Sequence, residues 1–149
     1  MKWIKSLLCV LLLTTLSCSK NDEPKPVQEG TKFPTPDWKQ DTTGRYPASM
    51  TSVLTLPTSL AAAVIESDQL AAFVNDECRG VGTMEKVNAQ NLFFVMIHGM
   101  PDETSKVKFK YYSGKTSYMY ESKDTLNFLI DAIYGTAQNP KTLQLSQLK

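Results

Sequence analysis

The chain has 149 residues, a length that suits one domain of ordinary size. Its composition is that of a globular protein, with 42% hydrophobic and 21% charged residues, and its 16 basic and 15 acidic residues give a formal charge of +1. This balance indicates neither a nucleic-acid partner nor a strongly acidic substrate, and the single histidine, His98, excludes sites that need two, such as the HExxH zinc motif.

Residues 1–17 have the pattern of a secretory signal. Lys2 and Lys5 precede the apolar run "LLCVLLL" at 7–13, and small residues follow it. The run is too short to cross a hydrocarbon core of roughly 30 Å, which takes about 20 residues. We therefore predict a signal peptide over 1–17 that takes no part in the fold.

The sequence "TLSC" at 15–18 resembles the lipobox of bacterial lipoproteins, in which the signal is cut just before a cysteine that is then acylated. Ser17 fits this pattern, whereas Thr15 departs from it, because leucine is usual at that position. Ordinary secretion with a nearby cut is the less favoured alternative, since Cys18 lies at the expected distance from the apolar run. The resemblance implies an acyl anchor on Cys18, in which each buried methylene contributes roughly 0.8 kcal/mol.

The stretch "CSKNDE" at 18–23 is similar to the surface-export signal of Bacteroidetes lipoproteins. A plain solvated linker is an equal alternative, because the pattern is short and degenerate. The expected location is the outer membrane of the cell envelope, with display at the surface left open.

Removal of residues 1–17 changes the charge and the cysteine content. Without Lys2 and Lys5 the chain has 14 basic against 15 acidic residues, a formal charge of −1. Cys9 leaves with the signal and Cys18 is acylated, so Cys78 is the one free thiol and no intrachain disulfide can form. Stability must then come from a packed core.

Residues 18–47 are predicted to be a lipidated, disordered linker or stalk. Proline has a fixed φ and lacks an N–H, so a proline-rich stretch favours extended chain. Trp38 and Tyr46 are the expected first contacts with the domain at 48–149. The prolines are Pro24, Pro26, Pro34, Pro36 and Pro47.

Strand patterns dominate from Ala48 onward. In the run at 91–99 both the odd-numbered and the even-numbered positions are apolar, which favours a central strand with both faces buried. The segment 60–65 could be either a strand or a helical turn. With turn signals between the segments, the sequence predicts an all-β fold, an antiparallel β-sandwich of Ig-like or jelly-roll-like type with about 7–9 strands after the stalk. The other predicted strands are 49–56, 69–75, 77–84, 106–113, 115–122, the start of 125–135, and 142–148.

The stretch "AAFVNDECRGVG" at 71–82 predicts a hairpin, although its charges first suggest a site. A two-residue turn at 75–76 makes Phe73 face Cys78, on the core side, and Ala72 face Arg79.

Arg79 then points away from the core face, within reach of Asp68 or Asp76. We interpret these charges as an Arg79–Asp pair that pins the hairpin, with Gly80 allowing a bulge or the close approach of a neighbouring strand.

The clearest hairpin is 106–121, for which we predict an even-numbered loop, with a turn at 113–114 and Lys106 facing Glu121. One face is then apolar and the other carries Lys106, Lys108 and Lys110. The lysine row could bind an anionic glycan or phosphate, but a solvated face that blocks edge aggregation is favoured, because no second basic cluster converges on it.

Tyr112 lies on the same face as the lysine row. An exposed tyrosine could stack on a sugar ring, or could be an ordinary residue of the sheet surface.

The acids near predicted turns are candidate ligands or structural contacts. Calcium takes six to eight oxygens, yet no EF-hand spacing organises these acids, and turn aspartates commonly bond their own backbone. We predict no cofactor or bound metal, with structural calcium as the minor alternative. We also predict no catalytic residue, since neither His98 nor Cys78 has a matched partner in the sequence. The acids are Asp68, Asp76, Glu77, Asp102 and Glu103.

The order of segments over 46–149 resembles a β-sandwich module of unknown function that recurs in Bacteroidetes secreted and surface proteins. The resemblance implies a fold and an envelope location, and no reaction. The stretch "GTMEKV" departs from it, with a shorter connection than the module has. The matching segments, in order, are "YPASMT", "ESDQLAAFVNDECRGVG", "LFFVMIHG", "VKFKYYSGKTSYMY", "LNFLIDAIYGT" and "NPKTLQL".

The expected function is a non-catalytic binding or assembly module of the cell envelope, anchored to the membrane through its lipid. Its partner would be a glycan or an envelope protein rather than a nucleic acid. A carbohydrate-binding module of a glycan-uptake or adhesion system is the first alternative. A hydrolase is the second, and it would need a cleft with perturbed acids.

Overall fold

The computed structural model describes residues 30–149, so the predicted signal peptide and Cys18 lie outside the described residues. In this part of the chain the regular structure is eleven strands and one helical turn, α1 (Thr58–Ala61), which answers the open question over 60–65. The strands are β1 (Ala48–Thr55), β2 (Gln69–Val74), β3 (Glu77–Val81), β4 (Thr83–Val87), β5 (Gln90–Gly99), β6 (Lys106–Ser113), β7 (Tyr118–Ser122), β8 (Leu126–Asn127), β9 (Ile133–Tyr134), β10 (Lys141–Thr142) and β11 (Leu145–Gln147).

The strands form two sheets. The front sheet has the order β11-β7-β6-β2-β3, with β8 beside β6, and the back sheet has the order β10-β1-β5-β4, with β9 beside β1. All pairings are antiparallel except those of β9 and β10 with β1. The predicted antiparallel β-sandwich is confirmed, and β5 is a central strand. The strand number exceeds the predicted one because the segments 77–84 and 125–148 each divide further.

The core lies between the two sheets and follows from the alternation of side chains along each strand. The ring of Tyr111 on β6 meets the ring of Phe93 on β5 edge-to-face, with 6.2 Å between centroids. Full burial of one such apolar side chain contributes roughly 1.5–3 kcal/mol, which makes this layer the main source of stability. Other core residues of the two strands are Val107, Phe109, Val95 and Ile97.

The β2–β3 hairpin has the predicted turn and an unpredicted register beyond it. Residues 75–76 both have positive φ, and Phe73 pairs with Cys78. Ala72 pairs with Gly80 and not with Arg79, because a β-bulge makes Arg79 an extra residue on β3. The strand therefore has the bulge that the sequence predicts near Gly80, but the extra residue is Arg79.

The prediction that Phe73 and Cys78 face the core is wrong. Ala72 and Val74 belong to the core cluster, so the residue between them must point to the outer face of the front sheet. Phe73 is nevertheless buried there, since Trp38 packs against it edge-on with 5.6 Å between ring centroids.

The β6–β7 hairpin has the predicted even-numbered loop, of four residues at 114–117. The faces are therefore as predicted, while the register differs: Lys110, and not Lys106, pairs with Glu121. The longer loop closes where Ser117, at a φ of 60°, donates its N–H to the carbonyl of Ser113 at 2.8 Å.

Residues 32–46, which we call the strap, cross the outer face of the front sheet. Phe33 donates its N–H to a carbonyl of the β6–β7 loop at 2.8 Å, so contact begins earlier than at the predicted Trp38. The strap then passes over β2 and leads into β1 at the buried Tyr46. The described part of the predicted linker is therefore packed along the sandwich.

The two sheets approach each other closely at Gly80, and a substitution at this position tests that contact. A Cβ at this position would lie 2.2 Å from the carbonyl oxygen of Met96, which is backbone and cannot rotate away. We expect Gly80→Ala to lower the free energy of unfolding by about 1–3 kcal/mol, as overpacked cores do. Urea unfolding measures this.

Gly30→Ala is the matched control. Its Cβ would meet only the end of the exposed Gln147 side chain, which can rotate away, so stability should stay within about 0.5 kcal/mol of wild type. An equal loss in both variants would contradict the close approach at Gly80.

Candidate functional site

Arg79 is the most buried charge of the 76–79 segment, with a side chain that is only 7% exposed. The guanidinium carbon lies 3.5 Å from the centroid of the Tyr46 ring. Nη1 lies 3.4 Å from Oε2 of Glu103 and donates at 3.4 Å to the backbone carbonyl of His98. Arg79 therefore links β3 to the strap, to β5 and to the β5–β6 connection.

The carboxylate partners of Arg79 are glutamates, and the predicted Arg79–Asp pair is wrong. Glu103 is the closer partner, and Oε2 of Glu77 lies 3.6 Å from Nε, a distance for an ion pair and not for a hydrogen bond. The bulge directs Arg79 toward the back sheet, and its salt bridges are to glutamates, whereas Asp68 and Asp76 lie in the turns at the two ends of β2 and pair elsewhere. The cation is paired with two carboxylates, although its buried Nε has no hydrogen-bond partner, and ion pairing of this kind is the chemistry of a structural cluster.

Asp68 is a buried clamp at the other end of the hairpin. Its Oδ2 accepts from the Tyr111 hydroxyl at 2.5 Å and from the Ile65 N–H at 3.2 Å. Its Oδ1 accepts from the Gly114 N–H at 2.8 Å. These three donors fix the start of β2 to the end of β6, and burial, together with the bond to Asp68, raises the pKa of the Tyr111 phenol well above its usual range.

Tyr112 is not the exposed tyrosine that the sequence predicts. It is 3% exposed, and its hydroxyl lies 3.3 Å from Oγ1 of Thr35 in the strap. The strap covers this part of the outer face, so the ring of Tyr112 cannot stack on a sugar.

Two further reactive side chains, Cys78 and His98, lie within residues 30–149. Cys78 is a half-buried free thiol whose pKa is raised by that burial, and His98 is the partly exposed penultimate residue of β5. Within residues 30–149, no group of three or more His, Cys, Asp or Glu side chains is placed to hold a metal ion.

The uncovered part of the front sheet contains a depression of about 310 Å³, which we call the lysine groove. This volume is at the lower end of the roughly 300–1,000 Å³ typical of small-molecule sites. Strand alternation puts the three lysines of β6 on the face that the strap leaves open. The lining residues are Phe73, Asn75, Asp76, Lys106, Lys108, Lys110 and Glu121.

Each ammonium in the groove has an oxygen partner. Nζ of Lys108 lies 3.0 Å from Oε2 of Glu121, and Nζ of Lys110 lies 3.2 Å from Oδ1 of Asp76. Lys106 contacts the side-chain oxygen of Asn127. The groove therefore has three ammonium groups and two carboxylates, a net formal charge of +1.

The sequence predicts the row of lysines but not the other side chains that surround it in the groove. Lys110 also lies over the ring of Phe73, with 4.7 Å from Nζ to the centroid, whereas the sequence predicts that Phe73 faces the core. The one sequence signal for this convergence was the predicted pairing of Glu121 with a lysine on the neighbouring strand. The structure shows that the lysine in contact with Glu121 is Lys108 and not Lys106.

A second depression, of about 350 Å³, lies between α1 and the β4–β5 turn. It offers a ligand no charged group. Its lining residues are Thr58, Ala61, Ala62, Asn88, Ala89, Gln90 and Asn91.

Comparison of the chain with protein-family models, with curated proteins and with solved structures finds no significant match. Over residues 30–149, no helix is long and apolar enough to cross a membrane.

Arg79→Ala should lower the free energy of unfolding by about 3 kcal/mol, because it leaves the partly buried Glu103 without its cation. Chemical denaturation followed by circular dichroism measures the loss. Arg45→Ala is the control, since the 63% exposed Arg45 also pairs with Glu77 but should contribute less than about 1 kcal/mol. Unchanged stability in Arg79→Ala would show that the cluster is not structural.

Tyr111→Phe should flatten the fall of stability at alkaline pH. The pKa of Tyr111 in the fold is raised above the ordinary tyrosine value of 10.0, so the unfolded chain ionises first, and this group's stabilisation is lost as pH rises above 10.0. The loss is about 1.4 kcal/mol per pH unit. Urea unfolding between about pH 9 and pH 11 tests this, and equal slopes in the variant and the wild type would contradict it.

Proposed function

We propose that this protein is a non-catalytic, lipid-anchored module of the cell envelope that binds a ligand or an assembly partner in the lysine groove. The groove is the observation that carries the proposal. It combines a cavity, a local positive charge and side chains from three strands of a rigid sheet.

The anchor part of the proposal rests on the sequence before the described residues. Gly30 lies twelve positions after Cys18, so the chain between them extends at most about 40 Å. An acylated Cys18 would then hold the β7–β11 side of the front sheet, which the strap reaches first, within that distance of the membrane.

A binding role for the groove is favoured over a hydrolytic one, because its carboxylates are paired with lysines and exposed to water. Asp76 and Glu121 are the carboxylates of the groove, and each lies against an ammonium group. The side chain of Asp76 is 90% exposed on a turn, in contact with water. General acid catalysis is favoured by a carboxyl group in a dry environment, which this arrangement does not supply.

The carbohydrate-binding alternative loses the residue on which it depended, because the strap covers Tyr112. Recognition of a sugar would have to use the polar side chains of the groove.

Cys18→Ala should abolish acylation and release the protein from the membrane fraction. In the parent cells, metabolic labelling with an alkyne fatty acid should mark the wild-type chain and leave the variant unlabelled. Two or more acyl chains give stable anchoring, so the wild type should also partition into the detergent phase.

Cys78→Ala is the matched control and should keep both the label and the membrane location. Loss of the label in both variants, or a membrane-bound Cys18→Ala protein, would overturn the anchor. A membrane-impermeant reagent applied to intact cells reports surface display, and wild-type protein that is labelled only after lysis would place it on the inner face.

A further inference from the structure

We propose that the lysine groove binds an acidic glycan, that is, sugars bearing carboxylate or sulfate groups. This inference rests on the proposed function, because it takes the groove as the binding surface and names the class of its ligand.

The spacing of the ammonium groups suits an extended ligand with repeated negative charges. Lys106, Lys108 and Lys110 occupy every second position of β6. An antiparallel strand rises about 3.4 Å per residue, so neighbouring lysines are about 7 Å apart along the strand and the row is about 14 Å long. The near-neutral charge of the whole chain does not oppose this, since binding at close range depends on the local charge.

The carboxylates of the groove narrow the ligand class. Glu121 and Asp76 accept hydrogen bonds and repel anions, so a pure polyanion such as polyphosphate meets two unfavourable contacts for three favourable ones. A sugar acid supplies both kinds of partner, with anionic groups for the lysines and hydroxyl donors for the carboxylates. Asn75 adds an amide at the same rim.

The position of the groove within the sheet argues against a peptide. A peptide that binds a β-sheet usually pairs with the free backbone of an edge strand. The groove lies over β6, which is hydrogen-bonded to β2 on one side and to β7 and β8 on the other. Recognition there has to use side chains, and charged and hydroxyl groups are what these side chains can bind.

The ion pairs within the groove can be exchanged for a ligand at little cost. Lys108 is 47% exposed, and exposed pairs of this kind contribute little to stability because water and salt screen them. Asp76, on the β2–β3 turn, can rotate into water and free the ammonium of Lys110. These pairs therefore keep the lysines ordered without blocking them.

Isothermal titration of the full-length protein in detergent tests the proposal. The probes are trigalacturonate, a sulfated heparin tetrasaccharide, a neutral maltotriose, inorganic tripolyphosphate and a short polyglutamate peptide. We expect one or both acidic sugars to bind, weakening as added salt screens the charges, and the other three probes to bind at least about tenfold more weakly.

Lys108→Gln should weaken the binding of the acidic sugar about five- to tenfold, and the triple variant of Lys106, Lys108 and Lys110 to Gln should weaken it at least about a hundredfold. The control is a triple variant at exposed lysines away from the groove, with the same net charge. It should bind as the wild type does. The control positions are Lys86, Lys115 and Lys149. Circular dichroism confirms that each variant is folded.

Three results would overturn the inference: neither acidic sugar binds, the groove variant binds them as well as its control, or maltotriose, tripolyphosphate or polyglutamate binds as tightly. In the third case, loss of binding in the groove variant would still support the groove as a binding surface. Because acylation of Cys18 is measured independently, failure of the ligand class and failure of the anchor are distinguishable.

Discussion

The buried guanidinium of Arg79 joins parts of the chain that are far apart in sequence. It packs on the ring of Tyr46 at the end of the strap and pairs with Glu103 between β5 and β6. An arginine this buried is tolerated only when its charge has partners, so these segments depend on one another's position. The bulge that presents Arg79 also depends on the glycine after it, because the carbonyl of Met96 in the back sheet leaves no room for a side chain there.

The opposite end of the same hairpin is fixed by different chemistry. Asp68 gathers three donors, including the hydroxyl of the core residue Tyr111. The acids that look like a site in the sequence are therefore divided: Asp68 and Glu77 hold the fold together, and Asp76 alone reaches the groove. With both ends of the hairpin fixed, β2 and β6 present a rigid outer face to a ligand.

The strap determines how much of that face is available. It buries the aromatic side chains Phe73 and Tyr112, which would otherwise be an apolar surface. What remains uncovered is the lysine row with its two carboxylates. The surface left uncovered is therefore polar and carries charges of both signs, which is the basis of the proposed preference for ligands with both anions and hydroxyl groups.

Local residue patterns were enough to predict the β-sandwich, the turn at 75–76 and the outward face of the lysine row, because strand alternation and positive φ are set by neighbouring residues. The sequence by itself also carries the whole argument for the anchor at Cys18. Tertiary structure alone decided the partners of Arg79, the burial of Tyr112 and the pairing of Glu121, because each depends on a bulge, a loop length or a segment that packs from far along the chain. The lysine groove is also decided by the tertiary structure. Its lysines lie close together in the sequence, but the residues around them come together only when three strands pair.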